Sequence, residues 1–291
     1  QDAEFDGYRV PQIMVPIHQG EEEWAALLKK RDKYSPAQFN NEVLSLFSSA
    51  GDKPITEAEL RRCCKSDLPM LTDDADSEIK ERYLRWSKSY EIFAGIDWGG
   101  GDVAYTVLCL GSYFGTDRFR YFYFKRFVGQ EADPVYQIDV ILRILTKYNV
   151  NIIGADYGFG HVQNTKISQD LVNQASLARY YYSANPKNLI TLNPGVNRFT
   201  VHRTQMMANM FNIIKTASIE LPRWEQFKSY GEDILNIFST YNENLRMIVY
   251  DHPPTQPDDS FHAILYCFLA SFLLYPREDL LGIPSIPTVD V

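Results

Sequence analysis

Two aspartates follow directly after apolar, strand-like segments of the sequence, and each is followed by glycines. Asp97 comes after the run Glu91–Ile96, and Asp156 comes after the run Asn151–Ala155. If these segments are neighbouring strands, about 4.8 Å apart, both carboxylates leave the same edge of one sheet. Such oxygen ligands suit Mg²⁺ or Mn²⁺. For either aspartate alone, an Asp-x-Gly turn after a strand is the commoner explanation.

A third acidic position stands at the start of the last apolar helix pattern. Asp258 and Asp259 are adjacent there, and His262 follows about one turn later. One aspartate would be explained as an N-cap that also interacts favourably with the helix dipole. Two adjacent carboxylates repel each other unless a cation compensates their charge, and Asp259 shares a helix face with His262. The pattern favours a metal-binding role and leaves open which aspartate is the ligand.

The three acidic positions have a chemical meaning only in combination. They stand at the ends of two strands and at the start of a final helix, so the fold would have to bring them together. Two divalent ions about 3.5–4 Å apart can activate water and stabilise the leaving 3′-oxygen of a phosphodiester. Together, the acids indicate metal-dependent phosphodiester hydrolysis.

The segments between these acids predict an α/β domain. Runs at Glu91–Ile96, Val103–Leu110 and Phe119–Val128 predict a three-strand meander, and helical spacing predicts a helix over Asp133–Tyr148. The later predicted elements are a helix near 163–177, a strand at Leu189–Leu192, a helix at Thr204–Ala217, an amphipathic segment near 224–238, a strand at Arg246–Tyr250 and a helix from about Asp259 to Tyr275. This order predicts a mixed sheet flanked by helices, with the strand ending at Asp156 parallel to the strand ending at Asp97.

The first 88 residues have a different character, that of a mostly helical arm. Helices are predicted over Glu22–Lys30 and over Ser35–Phe47, where a Ser cap precedes a proline. Thr56 and Glu59 form a capping-box sequence. The charged stretch from Asp73 to Lys88 is predicted to be solvated. We therefore divide the chain into an arm (1–88), a nuclease-like domain (89–278) and a tail (279–291).

Composition limits the classes of protein further. The 291 residues are 45% apolar and 23% charged, which excludes a disordered tail and a coiled coil, and the net charge is −8. The longest apolar run, Ala263–Tyr275, is shorter than the ~20 residues that cross a bilayer. No secretory signal and no CxxC spacing are visible, so we expect an intracellular protein without membrane partners or zinc. The net acidity does not exclude DNA binding, which depends on local charge.

Basic residues in two segments are candidates for contacting DNA phosphates. They are Arg118, Arg120, Lys125 and Arg126 in the aromatic run Arg118–Phe127, and Arg198 and Arg203 before the helix at Thr204–Ala217. Alternation in a half-buried strand would produce the first group without any functional reason. Both interpretations of that group stay open.

Three short motifs resemble a known family. Gly95–Gly101, Gly154–Gly158 and Pro257–Ala263 are similar to the three acidic motifs of the ribonuclease H-like nuclease domain of viral large terminases. These proteins package tailed-phage DNA and cut concatemers. The resemblance covers about 90–275. It extends weakly to Gly7–Gln12 and Phe39–Leu44, which resemble the segment that closes the terminase ATPase module.

The resemblance implies a ribonuclease H-like sheet and an endonuclease that cuts concatemeric double-stranded viral DNA with two Mg²⁺ or Mn²⁺ ions. By motif match, Asp97, Asp156 and Asp259 would be the catalytic metal ligands, with Asp258 as the alternative third ligand. His262 stands where family members often carry another Asp, so a metal-binding role for it is open. The phosphate loop ending in Gly-Lys-Ser/Thr is missing from the sequence. ATP would therefore serve only an upstream module.

The same resemblance implies partners and a location. The partners would be double-stranded DNA, the small terminase subunit, the portal protein and other large-subunit copies on the procapsid, in the cytoplasm of an infected bacterium. One alternative is a fragment of an actin-like or sugar-kinase-like ATPase, because Asp97 and Asp156 both begin Asp-x-Gly sequences. That fold needs two copies of the domain, which the remaining residues do not supply. The other alternative is a catalytically silent docking domain of a packaging motor.

Overall fold

The computed structural model describes residues 10–18, 20–33, 39, 43–45, 53–99, 104–183, 188–196, 198–242 and 247–276. The sequence predictions for Ser35–Phe47, Gly7–Gln12, Phe39–Leu44 and the tail 279–291 lie wholly or largely outside the described residues.

The strands form one large sheet and one small one. Their bounds are β1 Ile92–Asp97, β2 Thr106–Ser112, β3 Phe119–Phe127, β4 Val150–Asp156, β5 Ser176–Ser183, β6 Ile190–Asn193, β7 Arg198–His202, β8 Ile219–Glu220, β9 Phe238–Asn242 and β10 Met247–Asp251. The eight-stranded sheet has the order β6-β7-β5-β4-β1-β2-β3-β8, and β9 pairs with β10 separately.

The centre of the large sheet confirms the predicted mixed arrangement of a three-strand meander followed by a parallel strand. Strands β1, β2 and β3 form an antiparallel meander, and β4 lies beside β1 and parallel to it. In their register, Ile96 is opposite Ala155. The next residues, Asp97 and Asp156, therefore end neighbouring strands at the same edge, as predicted.

Helices cover both faces of this sheet. Their bounds are α1 Glu21–Lys33, α2 Glu57–Cys63, α3 Ser77–Trp86, α4 Pro134–Lys147, α5 His161–Asp170, α6 Arg203–Lys215, α7 Trp224–Asn236 and α8 Asp259–Phe272. One core contains apolar residues of α2, α6, α7 and α8, and the other contains those of α3, α4 and α5. Every residue of α8 is buried, and the helix packs against β1, β2 and β4. Among the described helices, none combines the length and apolar character that spanning a bilayer requires.

Part of the predicted helical arm packs on the domain. The capping box of Thr56 and Glu59 is confirmed at the start of α2, which contacts α6 and α7. The prediction of a solvated stretch up to Lys88 is wrong in part, because α3 buries Tyr83. The Tyr83 ring stacks on Phe122 of β3 at 4.6 Å between centroids.

Several predicted elements beyond Asp156 differ from the structure. The helix predicted over 163–177 ends at Asp170, and the segment Ser176–Ser183 is a strand instead. Strand β7 was not predicted, and β10 belongs to the small sheet. Because β5 pairs with β4 on one side and with β7 on the other, its conformation is set by partners distant in sequence.

Candidate active site

Two glycines bring α8 against the strands that carry the aspartates. A Cβ atom at Gly95 would overlap the carbonyl oxygen of Ala263 and lie 2.6 Å from the backbone nitrogen of Cys267. A Cβ atom at Gly154 would overlap the carbonyl oxygen of Tyr266. Both positions thus admit only a bare backbone.

The contact of α8 with Gly95 and Gly154 identifies the face of the sheet on which the acids lie. Gly95 and Asp97 lie on one face of β1, and Gly154 and Asp156 lie on the same face of β4, because side chains alternate along a strand. Asp259 precedes Ala263 by one helical turn, so it lies on the α8 face that meets β1. The structure therefore brings the three predicted acids together at the start of α8.

Hydrogen bonds orient two of these acids. Oδ2 of Asp156 accepts a hydrogen bond from the backbone N–H of Phe159 at 3.0 Å, and Oδ1 accepts one from the Tyr266 hydroxyl at 3.4 Å. Oδ2 of Asp259 accepts a hydrogen bond from the backbone N–H of Tyr105 at 2.9 Å. Loops that follow β4 and precede β2 thus hold the carboxylates at the edge of the sheet.

The electrostatics of the cluster reflect burial and crowding of like charge. Burial raises the pKa of Asp97 well above its usual value, and the charges of Asp259, Asp156 and Asp258 raise it further. Burial also raises the pKa of Asp156. The pKa of Asp259 rises to about 6, chiefly because the group is buried. A bound cation would relieve this repulsion.

Asp258 and His262 form a different set of contacts. Nε2 of His262 is 3.1 Å from Oδ2 of Asp258, and Nδ1 is 3.0 Å from the Tyr182 hydroxyl. His252 lies 3.5 Å from the other oxygen of Asp258. Burial alone would raise the pKa of Asp258, but the charge and hydrogen bond of His262 lower it to about 2. Asp258 is thus flanked by the imidazoles of His262 and His252, whereas Asp259 accepts a hydrogen bond from a backbone N–H.

Sequence reasoning missed a buried aspartate beside the cluster. Asp233 on α7 accepts hydrogen bonds from the backbone N–H and the hydroxyl of Ser260 and from Arg126 of β3. The N-cap residue Asp258 makes no side-chain capping bond of its own. Asp233 therefore anchors the first turn of α8, which carries Asp259. An acidic residue in an amphipathic helix gave no signal of this role.

Most of the predicted DNA-binding cations already have partners within the protein. Arg126 pairs with Asp233, Arg120 with Glu220, and Lys125 with Asp73 and Glu131. Arg203 donates to the carbonyl of Tyr250 at 2.6 Å.

The cations also differ in their distance from the acids. In the strand register, Arg120 of β3 is opposite Ser112 of β2, whereas Asp97 of β1 is opposite Val107 of β2. Arg120 and its neighbour Arg118 therefore lie at the end of the sheet away from Asp97. Arg198 lies at the acidic edge instead, where its guanidinium contacts the ring of Tyr157.

The carboxylate oxygens of the three aspartates are the type of ligand that a hard divalent cation prefers. The described residues contain no group of three or more His, Cys, Asp or Glu side chains placed to hold a metal ion. Proteins commonly bind Mg²⁺ through one or two carboxylates, with waters and substrate phosphates completing the octahedron. Asp97 lies close enough to Asp259 and Asp156 for their charges to act on it.

The raised pKa of Asp259 predicts a pH-dependent stability. Between about pH 4 and 6 the folded protein keeps a proton on Asp259 that the unfolded chain releases. The contribution of this group to the free energy of unfolding should therefore be fully present below pH 4 and be lost as the pH rises through 6, a change of roughly 1–3 kcal/mol. Urea unfolding with EDTA would measure the slope.

Variants identify the group responsible for that slope. Asp259→Asn should reduce it, whereas Asp170→Asn, on the surface of α5 beside Lys166, should leave it as in the wild type. An Asp259→Asn protein with the wild-type slope would contradict the assignment.

The fold is a mixed α/β domain with aspartates at the carboxyl ends of its two central parallel strands. No protein-family model matches the sequence, and no curated protein is significantly similar to it. Solved structures do show similarity to the fold.

The chain is similar to the large terminase nuclease from thermophilic phage G20c with bound magnesium. The identity is 12% and the TM-score 0.47, over 76% of this chain and 98% of that chain. It is also similar to the nuclease domain of the large terminase subunit gp2 of bacterial virus Sf6, with 12% identity and a TM-score of 0.45, over 73% and 96% of the two chains. Because these values are low, we base the functional proposal on this chain's own residues.

Proposed function

We propose that this domain is a metal-dependent endonuclease that hydrolyses phosphodiester bonds of double-stranded DNA. The supporting observation is the convergence of Asp97, Asp156 and Asp259 from two strands and a helix. Burial and mutual repulsion raise the pKa of Asp97. Divalent cations would stabilise the ionised form of this carboxylate. Oxygen donors alone favour Mg²⁺ or Mn²⁺ as the ions.

In the proposed mechanism Asp97 would contribute to both ion positions. Asp97 and Asp156 would hold one ion, and Asp97 and Asp259 the other, with Asp258 and His262 behind them. Bound ions of this kind lower the pKa of a water molecule and stabilise the charge on the leaving 3′-oxygen. The N–H groups of Tyr105 and Phe159 fix the orientation of Asp259 and Asp156, and the Asp233 contacts fix the start of α8.

We further propose that the substrate is concatemeric viral DNA cut during genome packaging. The order and the strand context of the three acidic motifs support this finer assignment. On this proposal, residues 1–88 continue an ATPase module, and the partners are the small terminase subunit, the portal protein and other large-subunit copies. The work would take place in the cytoplasm of an infected bacterium.

Incubation of supercoiled plasmid with the purified chain tests the proposal. We expect nicked and linear DNA with Mn²⁺ or Mg²⁺ and intact supercoils with EDTA, without any need for ATP. Intact DNA with both ions would contradict the nuclease assignment and favour a docking domain. Hydrolysis of ATP by the chain would favour the kinase-like alternative instead.

A further inference from the structure

The edge of the acid cluster beside Asp156 carries a stack of two rings and a cation. The guanidinium carbon of Arg198 lies 4.8 Å from the ring centroid of Tyr157 and 4.6 Å from that of Tyr181. Tyr157 follows Asp156 directly, and Tyr181 follows Tyr180, which is opposite Asp156 in the sheet register. We call these three residues the Arg198 stack, and it lies at the same sheet edge as the acids.

Arg198 differs from Arg126 and Lys125 in how its charge is compensated. Within the part of the chain that the structure describes, no carboxylate pairs with Arg198, and its Nε is buried without a hydrogen-bond partner. Arg126 and Lys125 are each paired with carboxylates. Stacking on aromatic faces fixes the plane of a guanidinium while its charge is kept. Such a group is suited to bind a phosphate.

Exposed apolar side chains continue the surface around Asp156. Phe159 is 74% exposed and Val162 is 73% exposed, and Tyr181 of the Arg198 stack is 43% exposed. The backbone of Phe159 is tied to the site, because its N–H donates to Asp156. Apolar side chains next to cations contact the sugars and base faces of nucleic acids. Phe159 is therefore held beside the acids while its ring faces solvent.

We infer that the Arg198 stack and Phe159 form a contact surface for one DNA strand next to the bond that is cut. Arg198 binds a backbone phosphate, and the rings of Phe159 and Tyr181 pack against the adjacent sugars. Sugars and phosphates are the same in every sequence, so this contact discriminates little between sequences. The inference rests on the proposed function for the substrate class, and it assigns the residues that hold that substrate.

Fluorescence anisotropy with a labelled DNA duplex in Ca²⁺ tests the surface, with the DNA checked for integrity afterwards. Phe159→Ala should weaken binding about 5–10-fold and leave the salt dependence unchanged, because it removes no charge. Arg198→Gln should weaken binding and also reduce the slope of log affinity against log salt by about one. These two signatures separate the apolar contact from the phosphate contact.

Two controls match these variants in chemistry. Val172→Ala removes an apolar side chain that is 72% exposed, and Arg143→Gln removes an exposed cation of α4. Both should bind within about two-fold of the wild type. Unfolding midpoints verify that each variant folds. If Arg198→Gln does not fold, Phe159→Ala decides the question, because its side chain is exposed.

Wild-type affinity of Phe159→Ala, or an equal loss in Arg143→Gln, would overturn the inference. The outcome does not depend on cleavage. A chain that fails to nick plasmid but loses affinity in Phe159→Ala would retain the DNA surface and contradict only the nuclease proposal.

Discussion

Asp97→Asn should abolish plasmid cleavage, with a rate at least ~10²–10³-fold below that of the wild type. Asp97 is the acid that both proposed ion positions share, and the substitution removes its charge without changing its size. Removing a group that stabilises the transition state typically has an effect of this order. Nicking of supercoiled plasmid over time, at saturating Mn²⁺, would measure the loss.

Stability distinguishes loss of a ligand from loss of the fold in this variant. Because burial and repulsion raise the pKa of Asp97, Asp97→Asn should make the metal-free protein more stable at pH 7 than the wild type. Mn²⁺ should then raise its melting temperature less than it raises that of the wild type. Asp170→Asn should keep wild-type cleavage. Nicking by Asp97→Asn at the wild-type rate would point to a contaminating nuclease or to a different site.

Gly154→Ala should destabilise the protein by about 3 kcal/mol and strongly reduce cleavage. The added Cβ would overlap the Tyr266 carbonyl oxygen and approach the Tyr180 ring to 2.9 Å. The backbone of α8 cannot make room locally, because the helix is buried along its whole length. The helix would therefore have to move away from β4 as a unit. Asp259 would move with it, away from Asp156. Urea unfolding and plasmid nicking together would measure both effects.

Gly195→Ala is the matched control for this substitution. A Cβ at Gly195 would meet only the side chain of Asn193, at 3.6 Å, so both stability and cleavage should stay close to those of the wild type. If Gly154→Ala were as stable and as active as Gly195→Ala, the close approach of α8 to β4 would not be needed for the site.

The centre of the fold was predictable because its elements have local signals. Strands β1 to β4 are apolar runs bounded by turn residues, and crossover handedness places β4 beside β1. The strand β5 was missed because its sequence from Ser176 to Ser183 mixes polar and aromatic residues. Its partners, β4 and β7, are separated from it by helices or loops. Such pairing is not readable from a local pattern.

The acids of the site were predictable from their positions after strands, but the parts that orient them were not. Gly95 and Gly154 each stand two residues before an aspartate, and this spacing could have indicated a shared close contact on one sheet face. Asp233 had no such signal, because its partner Ser260 lies 27 residues away. The cations of β3 were predicted without knowledge of the carboxylates that pair with them.

The burial of α8 against β1, β2 and β4 has a consequence for biosynthesis. The helix lies late in the chain, so a ribosome releases Asp97 and Asp156 well before Asp259. Until α8 emerges, a growing chain exposes the apolar sheet face that this helix later covers, and it holds only two of the three acids. On the proposed function, nuclease activity would therefore arise only after α8 has been synthesised.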